Sequence, residues 1–252
     1  KQKQFLKKSG IPVAKFAEVK TVEDILGSIK KFGLPLLLKA RMDAYDGRGN
    51  VLIKKDVDID SALEKLAGRD LYVEQHVPFI KELAVMVARN TKGAIVTYPV
   101  VQTIHKNNIC HLVLAPAPID QSIQRKAQNL AKKVMQHLKG AGVFGIEMFL
   151  TKQGKVLVNE IAPRVHNSGH YTMEACVTSQ FEQHIRAITG LPLGSTTMLT
   201  SAAVMINILG ERLGQAEVKH LEKTLALANT FVHVYGKKET KPERKMGHIT
   251  VI

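Results

Sequence analysis

The sequence predicts an α+β protein with a small β-rich module at its C-terminal end. Three observations carry the prediction. Helix-period and strand-period stretches alternate along most of the chain. Residues 121–138 have the apolar spacing of an amphipathic helix and lie between strand-like runs. Beyond the Pro- and Gly-containing stretch 191–195, which reads as a boundary, SAAVMINILG, ALANTFVHVYG and MGHITVI are all strand-like.

The opening KQKQFLKKSG is charged and amphipathic, without the apolar core of a signal peptide. Thr21-Val22-Glu23-Asp24 is a capping box for a helix over 21–31, and Gly33 is placed to end it. PLLLKA then reads as a buried strand, RMDAYDGRGN as a glycine-rich loop, NVLIKK as the returning strand and IDSALEKLAG as a short helix. LYVEQHV, ELAVMVARN, GAIVTYPVV and ICHLVLA are further strands. After the helix over 121–138, GVFGIEMFL and KVLVNEIA form a hairpin around TKQGK, and another helix follows over 175–188. No internal repeat or low-complexity tract interrupts this order.

Composition narrows the function. A chain of 252 residues with 45% hydrophobic content builds one or two compact domains with a real core. No apolar run approaches a membrane span. Cys110 and Cys176 are the only cysteines, which argues for a reducing compartment, the cytoplasm, and against a disulfide scaffold or thiolate metal site. The net charge of +14 admits more than one reading. A basic face binds nucleic acid by releasing counterions. Here the lysines are spread through KKSG, SIKKFG and RKAQNLAKK without interleaved aromatics for stacking, as on a solvated helical surface. A site that handles several phosphates also gathers positive charge.

The segment NEIAPRVHNSGHYT, residues 159–172, follows a strand-like run. It sets a carboxylate, amides, an arginine, histidines and a serine within one short stretch, which suits an anion site facing a metal. If Thr151 pairs with Val156 across the TKQGK turn, Glu147 falls opposite Glu160 on the same face. Like charges across a ladder repel, and a hard cation such as Mg²⁺ carrying nucleotide phosphates relieves them. The alternatives are a solvent-facing hairpin whose glutamates never meet, or a one-residue shift that pairs Glu147 with Asn159. The loop RMDAYDGRGN has the glycines of a lid that approaches phosphate, with Lys39 at the end of the preceding strand, although Asp-Gly is also ordinary turn chemistry. Glu74 and Glu82 flank a bend at Pro78, where a base edge and ribose hydroxyls find partners; a pair of exposed glutamates is equally common in such a place.

LLLKARMDAYDGRGN, LYVEQHVPFIKELAVMV, TIHKNNIC, GVFGIEMF, NEIAPRVHNSGHYT and YGKKETKPERKMGHI occur in this order over nearly the whole chain. In that order they resemble the ATP-grasp superfamily, and within it the N5-carboxyaminoimidazole ribonucleotide synthetases of purine biosynthesis, including the synthetase portion of fungal bifunctional phosphoribosylaminoimidazole carboxylases. The resemblance implies an ATP-grasp fold over 1–193, with a lid subdomain roughly over 12–72, and the β-rich module over 194–252. It implies an ATP-dependent ligase that carboxylates the exocyclic amine of aminoimidazole ribonucleotide with bicarbonate, through carboxyphosphate.

Residue by residue, the resemblance gives Lys39 to ATP phosphate, Glu74 with the backbone near Val77 to adenine, Glu82 to the ribose, and Glu147 and Glu160 to Mg²⁺. It gives Arg164, His166 and Asn167 to bicarbonate and carboxyphosphate. It places Tyr45, Asp46 and Arg48 at the ribonucleotide, with Asp46 near the amine, and Lys237 and Arg244 at its phosphate. It also implies a preceding domain of roughly a hundred residues, so these 252 residues are expected to be a fragment. Glu243 departs from the glycine often found before the Arg-Lys pair, which is expected to alter the local turn. Another ATP-grasp ligase shares the nucleotide residues but does not require HNSGHYT together with PERKMGHI; a noncatalytic basic module that binds nucleic acid has only the charge in its favour. The sequence leaves open whether the chain forms a homo-oligomer.

Overall fold

The computed structural model describes residues 1–42 and 49–252. The chain opens with α1 (Gln2–Lys8), β1 (Phe16–Val19) and α2 (Val22–Phe32), then β2 (Leu36–Ala40), β3 (Asn50–Ile53), α3 (Ile59–Lys65) and β4 (Leu71–Gln75). A run of strands follows: β5 (Phe79–Arg89), β6 (Ile95–Thr97), β7 (Val101–Lys106) and β8 (Ile109–Ala115). Next come α4 (Gln121–Leu138), β9 (Gly142–Thr151), β10 (Val156–Ala162), α5 (Thr172–Ala175) and α6 (Gln180–Thr189). The remainder is β11 (Ala203–Leu209), β12 (Gly214–Gln215), α7 (Leu221–Leu225), β13 (Thr230–Val234), β14 (Glu239–Thr240) and β15 (Lys245–Val251).

Local signals account for both ends of α2. The Asp24 carboxylate accepts the N–H groups of Lys20 and Thr21, closing the start of α2, and Gly33 ends it at φ 77°. The expected helix over 175–188 is corrected. Cys176 is extended and bridges to Met198, so the one-turn α5 stops at Ala175, and α6 begins after Ser179, whose hydroxyl accepts from the Glu182 N–H. Within GAIVTYPVV, pairing breaks between Thr97 and Val101, leaving two strands where one run was expected.

Two main sheets organise the molecule. The smaller has the order β1-β4-β2-β3. One of its faces, with Leu36, Leu38, Ala40 and Val73, packs on Ile25 of α2 and on Ile59 and Ala62 of α3. Its other face carries Leu37, Lys39, Tyr72 and Glu74, because paired residues share a side. The larger sheet runs β10-β9-β5-β7-β8-β11-β15-β13, so β11, β15 and β13 extend the sheet that β5 to β10 begin, while β12 and β14 pair separately. On one side of it, Leu83, Val85, Ile146 and Met148 bury against Ala127, Ala131 and Val134 of α4 and Leu6 of α1. On the other, Ala84, Met86, Val101, Val113 and Met205 form a second core with Tyr98 and Tyr171. That second face bears the polar cluster. Among the described residues, no helix is long and apolar enough to cross a membrane.

Candidate active site

Glu147 and Glu160 meet by a route the sequence did not show. The ladder starts with Val156 opposite Leu150, one residue away from the expected pairing of Val156 with Thr151. Gly154, at φ 72°, closes a tighter turn in which the Thr151 N–H donates to the Lys155 carbonyl. Continued unbroken, that register would set Asn159 against Glu147. A bulge between Val158 and Glu160 absorbs one residue and restores Glu160 opposite Glu147. Bulges re-aim side chains beside functional sites, and here one turns Glu160 onto the face that carries Glu147.

Glu147 is half-buried while Glu160 is exposed. Burial first, and then the charge of Glu160, push the Glu147 carboxyl up to about 7; His105 opposes this. His166 Nε2 lies 3.4 Å from Glu147 Oε1. Burial and the neighbouring Arg164 and Lys245 pull His166 down to about 4, so the ring is neutral at pH 7. Its Nδ1 faces the Ser168 hydroxyl at 2.8 Å and the Ser168 N–H, which places the ring proton on Nε2 when Nδ1 accepts both. The close approach depends on Gly145, where an added Cβ would come within 2.6 Å of the His166 Cβ.

The turn holding His166 and Asn167 is fixed from behind by Gln180, which is fully buried. Its Oε1 accepts the His166 N–H at 2.9 Å, its Nε2 donates to the His166 carbonyl at 2.9 Å, and the same nitrogen lies 2.9 Å from His170 Nδ1. Asn167 exchanges amide hydrogen bonds with Asn207 of β11. Arg164 is exposed, and its guanidinium donates to the Val165 carbonyl.

On the small sheet, the Glu74 carboxylate is buried between two lysines. Lys3 Nζ is 2.9 Å from one oxygen and Lys39 Nζ 3.5 Å from the other. Burial pulls Lys3 below the ordinary lysine range against the opposing pull of Glu74; burial also lowers Lys39, but Glu74, Tyr72 and Glu160 together outweigh it and raise the group. Sequence reasoning missed Lys3, because 71 residues separate it from its partner. It also gave no role to His105, although TIHK was in view. His105 Nδ1 approaches Glu82 Oε1 to 3.3 Å without the alignment of a hydrogen bond. Burial lowers His105, but Glu82 and then Glu147 outweigh it and leave it above the ordinary imidazole range. The usable signal was register: Glu82 pairs with Thr103, two residues from His105 on the same strand.

Lys237 and Arg244 sit in the connection from β13 to β15. Lys237 Nζ donates to the Lys245 carbonyl and lies beside the Tyr235 ring, and Arg244 donates to the Glu239 carbonyl. Lys237 also lines a hollow with Gly214, Gln215 and Ala216. Glu243 stands at φ 67°, a left-handed conformation that favours glycine, and its carboxylate accepts from Asn107 Nδ2. The strands on either side of the connection meet the turn after β10 through stacked imidazoles: His248 of β15 lies between His170 and His233 of β13, at 4.7 and 4.6 Å, and His233 Nε2 meets Glu174 at 2.7 Å. The structure thus brings Glu147, Glu160, His166 and His105 to one face of the large sheet and Lys39 and Glu74 to one face of the small sheet. Val77 is buried at the bend before β5. Tyr45, Asp46 and Arg48 lie outside the described residues.

The model of the ATP-grasp domain matches residues 4–181, and that of the phosphoribosylaminoimidazole carboxylase C-terminal domain matches residues 203–252. The phosphoribosylaminoimidazole carboxylase of Ogataea methanolica is 49% identical over 256 residues, spanning 100% of this chain and 47% of that protein. The carboxyaminoimidazole ribonucleotide synthase of Aspergillus clavatus, solved with ATP, superposes with a TM-score of 0.92 at 43% identity, covering 99% of this chain and 66% of that one. The enzyme from the same organism with ADP and 5-aminoimidazole ribonucleotide gives 0.92 at 40% identity, with the same coverage. The chain therefore spans about half the length of its fungal relative.

Proposed function

The chain belongs to the ATP-grasp family, and on that premise we propose that it is the nucleotide-binding and acyl-activating part of an N5-carboxyaminoimidazole ribonucleotide synthetase. The observation that carries the proposal is the bulged hairpin, which sets Glu147 against Glu160 beneath the turn carrying His166 and Asn167. The Aspergillus clavatus relatives hold ATP in one case and ADP with the ribonucleotide in the other, so both substrate classes are assigned here. We divide the chain into an ATP-grasp domain over 1–193, with 12–72 as its lid, and a C-terminal module over 194–252. Two cysteines in 252 residues, too few for a disulfide scaffold, fit a cytoplasmic enzyme.

Glu147 and Glu160 fit a divalent cation because a cation offsets the burial and the like charge of Glu160 that raise Glu147. No group of three or more His, Cys, Asp or Glu side chains gathers for a metal among the described residues. Two carboxylates completed by phosphate oxygens are the pattern of Mg²⁺. Bound there, Mg²⁺ would neutralise charge that builds on the transferring phosphoryl group.

The protein's own contribution is positioning and electrostatics. Lys39 holds phosphate, Glu74 and the backbone near Val77 border adenine, and Glu82 takes the ribose hydroxyls. Arg164, His166 and Asn167 hold bicarbonate, one oxygen of which attacks the γ-phosphorus of ATP; the bond to ADP breaks and carboxyphosphate forms. Neutral His166 contributes hydrogen bonding and not charge. The exocyclic amine of the ribonucleotide then attacks the carboxyl carbon, phosphate leaves, and the amine loses a proton near Asp46. Tyr45 and Arg48 border the ribonucleotide, and Lys237 and Arg244 hold its phosphate, as a point charge and a planar fork.

The test is phosphate release from ATP by the complete enzyme, with the residues that precede Lys1 in place. Release that requires both bicarbonate and aminoimidazole ribonucleotide supports the reading. Turnover that ignores bicarbonate and proceeds with a different carboxylate would overturn it.

A further inference from the structure

Asn167 does not hold its own orientation. Its Nδ2 donates to Asn207 Oδ1 at 2.8 Å, and its Oδ1 accepts from Asn207 Nδ2 at 2.7 Å. The second N–H of Asn207 goes to the Cys110 carbonyl at 2.9 Å. A carbonyl oxygen can only accept, so it faces the nitrogen end of an amide; Cys110 therefore decides which way round Asn207 lies, and Asn207 in turn decides Asn167. Asn207 is 6% exposed, with both its N–H groups used. Asn167 keeps one N–H beyond the pair and sits next to His166 on the site face.

Asn207 is anchored by the large sheet. It lies on β11 opposite His248 of β15, and its neighbour Ile206 pairs with Leu112 of β8. The matched ATP-grasp region ends at residue 181, so this support for Asn167 comes from outside it.

We propose that Asn207 is a positioning residue for the acyl-forming centre, fixing the rotamer and amide orientation of Asn167 so that its remaining N–H is presented to a carbonate-class anion. The proposal rests on the reading of Asn167 as a bicarbonate contact. It makes the C-terminal strands part of the acyl-activating machinery as well as the ribonucleotide site.

The test uses the complete enzyme and bicarbonate saturation of ribonucleotide-dependent phosphate release, for Asn207→Ala, Asn167→Ala and the double variant. Asn207→Ala should raise the KM for bicarbonate about tenfold, the size of one lost hydrogen bond to a charged ligand, and leave directly titrated ATP affinity within about twofold. In the Asn167→Ala background it should add nothing, because the group it orients is gone. If Asn207→Ala does not fold, Asn207→Ser keeps a polar partner for the Cys110 carbonyl and should show the same rise. An equal further loss in the double variant, or a parallel loss of ATP affinity, overturns the proposal as mere structural damage. A bicarbonate defect in Asn167→Ala alone overturns it while leaving the bicarbonate site intact. No bicarbonate effect of Asn167→Ala removes the site reading itself.

Discussion

Glu147→Gln should make the metal-free protein more stable while weakening its grip on Mg·ATP. The substitution keeps shape and removes a charge that the fold holds under strain. A carboxyl moved from an ordinary 4.5 to about 7 represents roughly 3 kcal/mol, at about 1.4 kcal/mol for each pH unit. Burial and Glu160 are the main causes, while His105 and Lys245 return part of the cost. A gain of about 1 to 3 kcal/mol is therefore expected.

The pH window follows from the direction of the shift. The folded state holds the Glu147 proton more tightly than the unfolded state, so below about pH 4.5 both forms are protonated and the substitution gains nothing. Between about 4.5 and 7 the unfolded chain ionises first and the parent loses stability; above about 7 the full penalty is present. Denaturant midpoints of parent and variant, in chelator, at pH 8 and near pH 4.5, measure this directly. Mg·ATP affinity should fall by about tenfold or more, as expected for a lost charged ligand, while metal-free ATP binding holds. A variant destabilised at pH 8, or stabilised equally at both pH values, refutes the reasoning.

Three further outcomes are expected. Burial and their neighbours depress His170 to about 4 and His248 to about 3, so stability is full above the ordinary 6.5 and falls as pH drops toward those values; urea midpoints from pH 7.5 to 5 should decline, and His248→Gln should flatten that decline even with His233, Glu174, Tyr235 and Gln180 still facing the stack. Lys3→Met breaks a buried pair and should cost about 2 to 4 kcal/mol in thermal unfolding; it should also weaken ATP binding, because Glu74 then draws on Lys39 alone, while ribonucleotide affinity stays. Glu243→Gly relieves a left-handed residue but adds freedom to the unfolded chain, so its net effect should lie between zero and about 1 kcal/mol of stabilisation, read from denaturant midpoints.

What the sequence revealed was local. The capping box and Gly33 marked both ends of α2, and a regular apolar period marked all of α4. The start of α6 was misplaced, because the bridge that extends Cys176 comes from Met198, more than twenty residues on. The same limit governs the site. One strand-turn-strand unit was enough to bring Glu147 and Glu160 into view, and Glu82 with His105 needed the register of β5 on β7, whereas Lys3 with Glu74 and Asn167 with Asn207 are joined only by tertiary packing.

The Glu147 and Glu160 pairing shows why a correct contact can rest on an incorrect register. The expected ladder assumed Thr151 opposite Val156; the real turn is tighter, and its ladder is displaced by one residue until Asn159. A regular hairpin would then have turned Glu160 to the opposite face, where Val158 and Ile161 pack beneath α4. The bulge lets Val158, Ile161 and Glu160 each reach the side that suits it, with the apolar residues inward and the carboxylate toward the site. Without the bulge Ile161, three residues from Val158, would leave the face beneath α4, so the unpaired residue serves the packing of Ile161 as well as the site. One irregularity at Asn159 thus does two things at once: it keeps Ile161 in the core and sets Glu160 opposite Glu147.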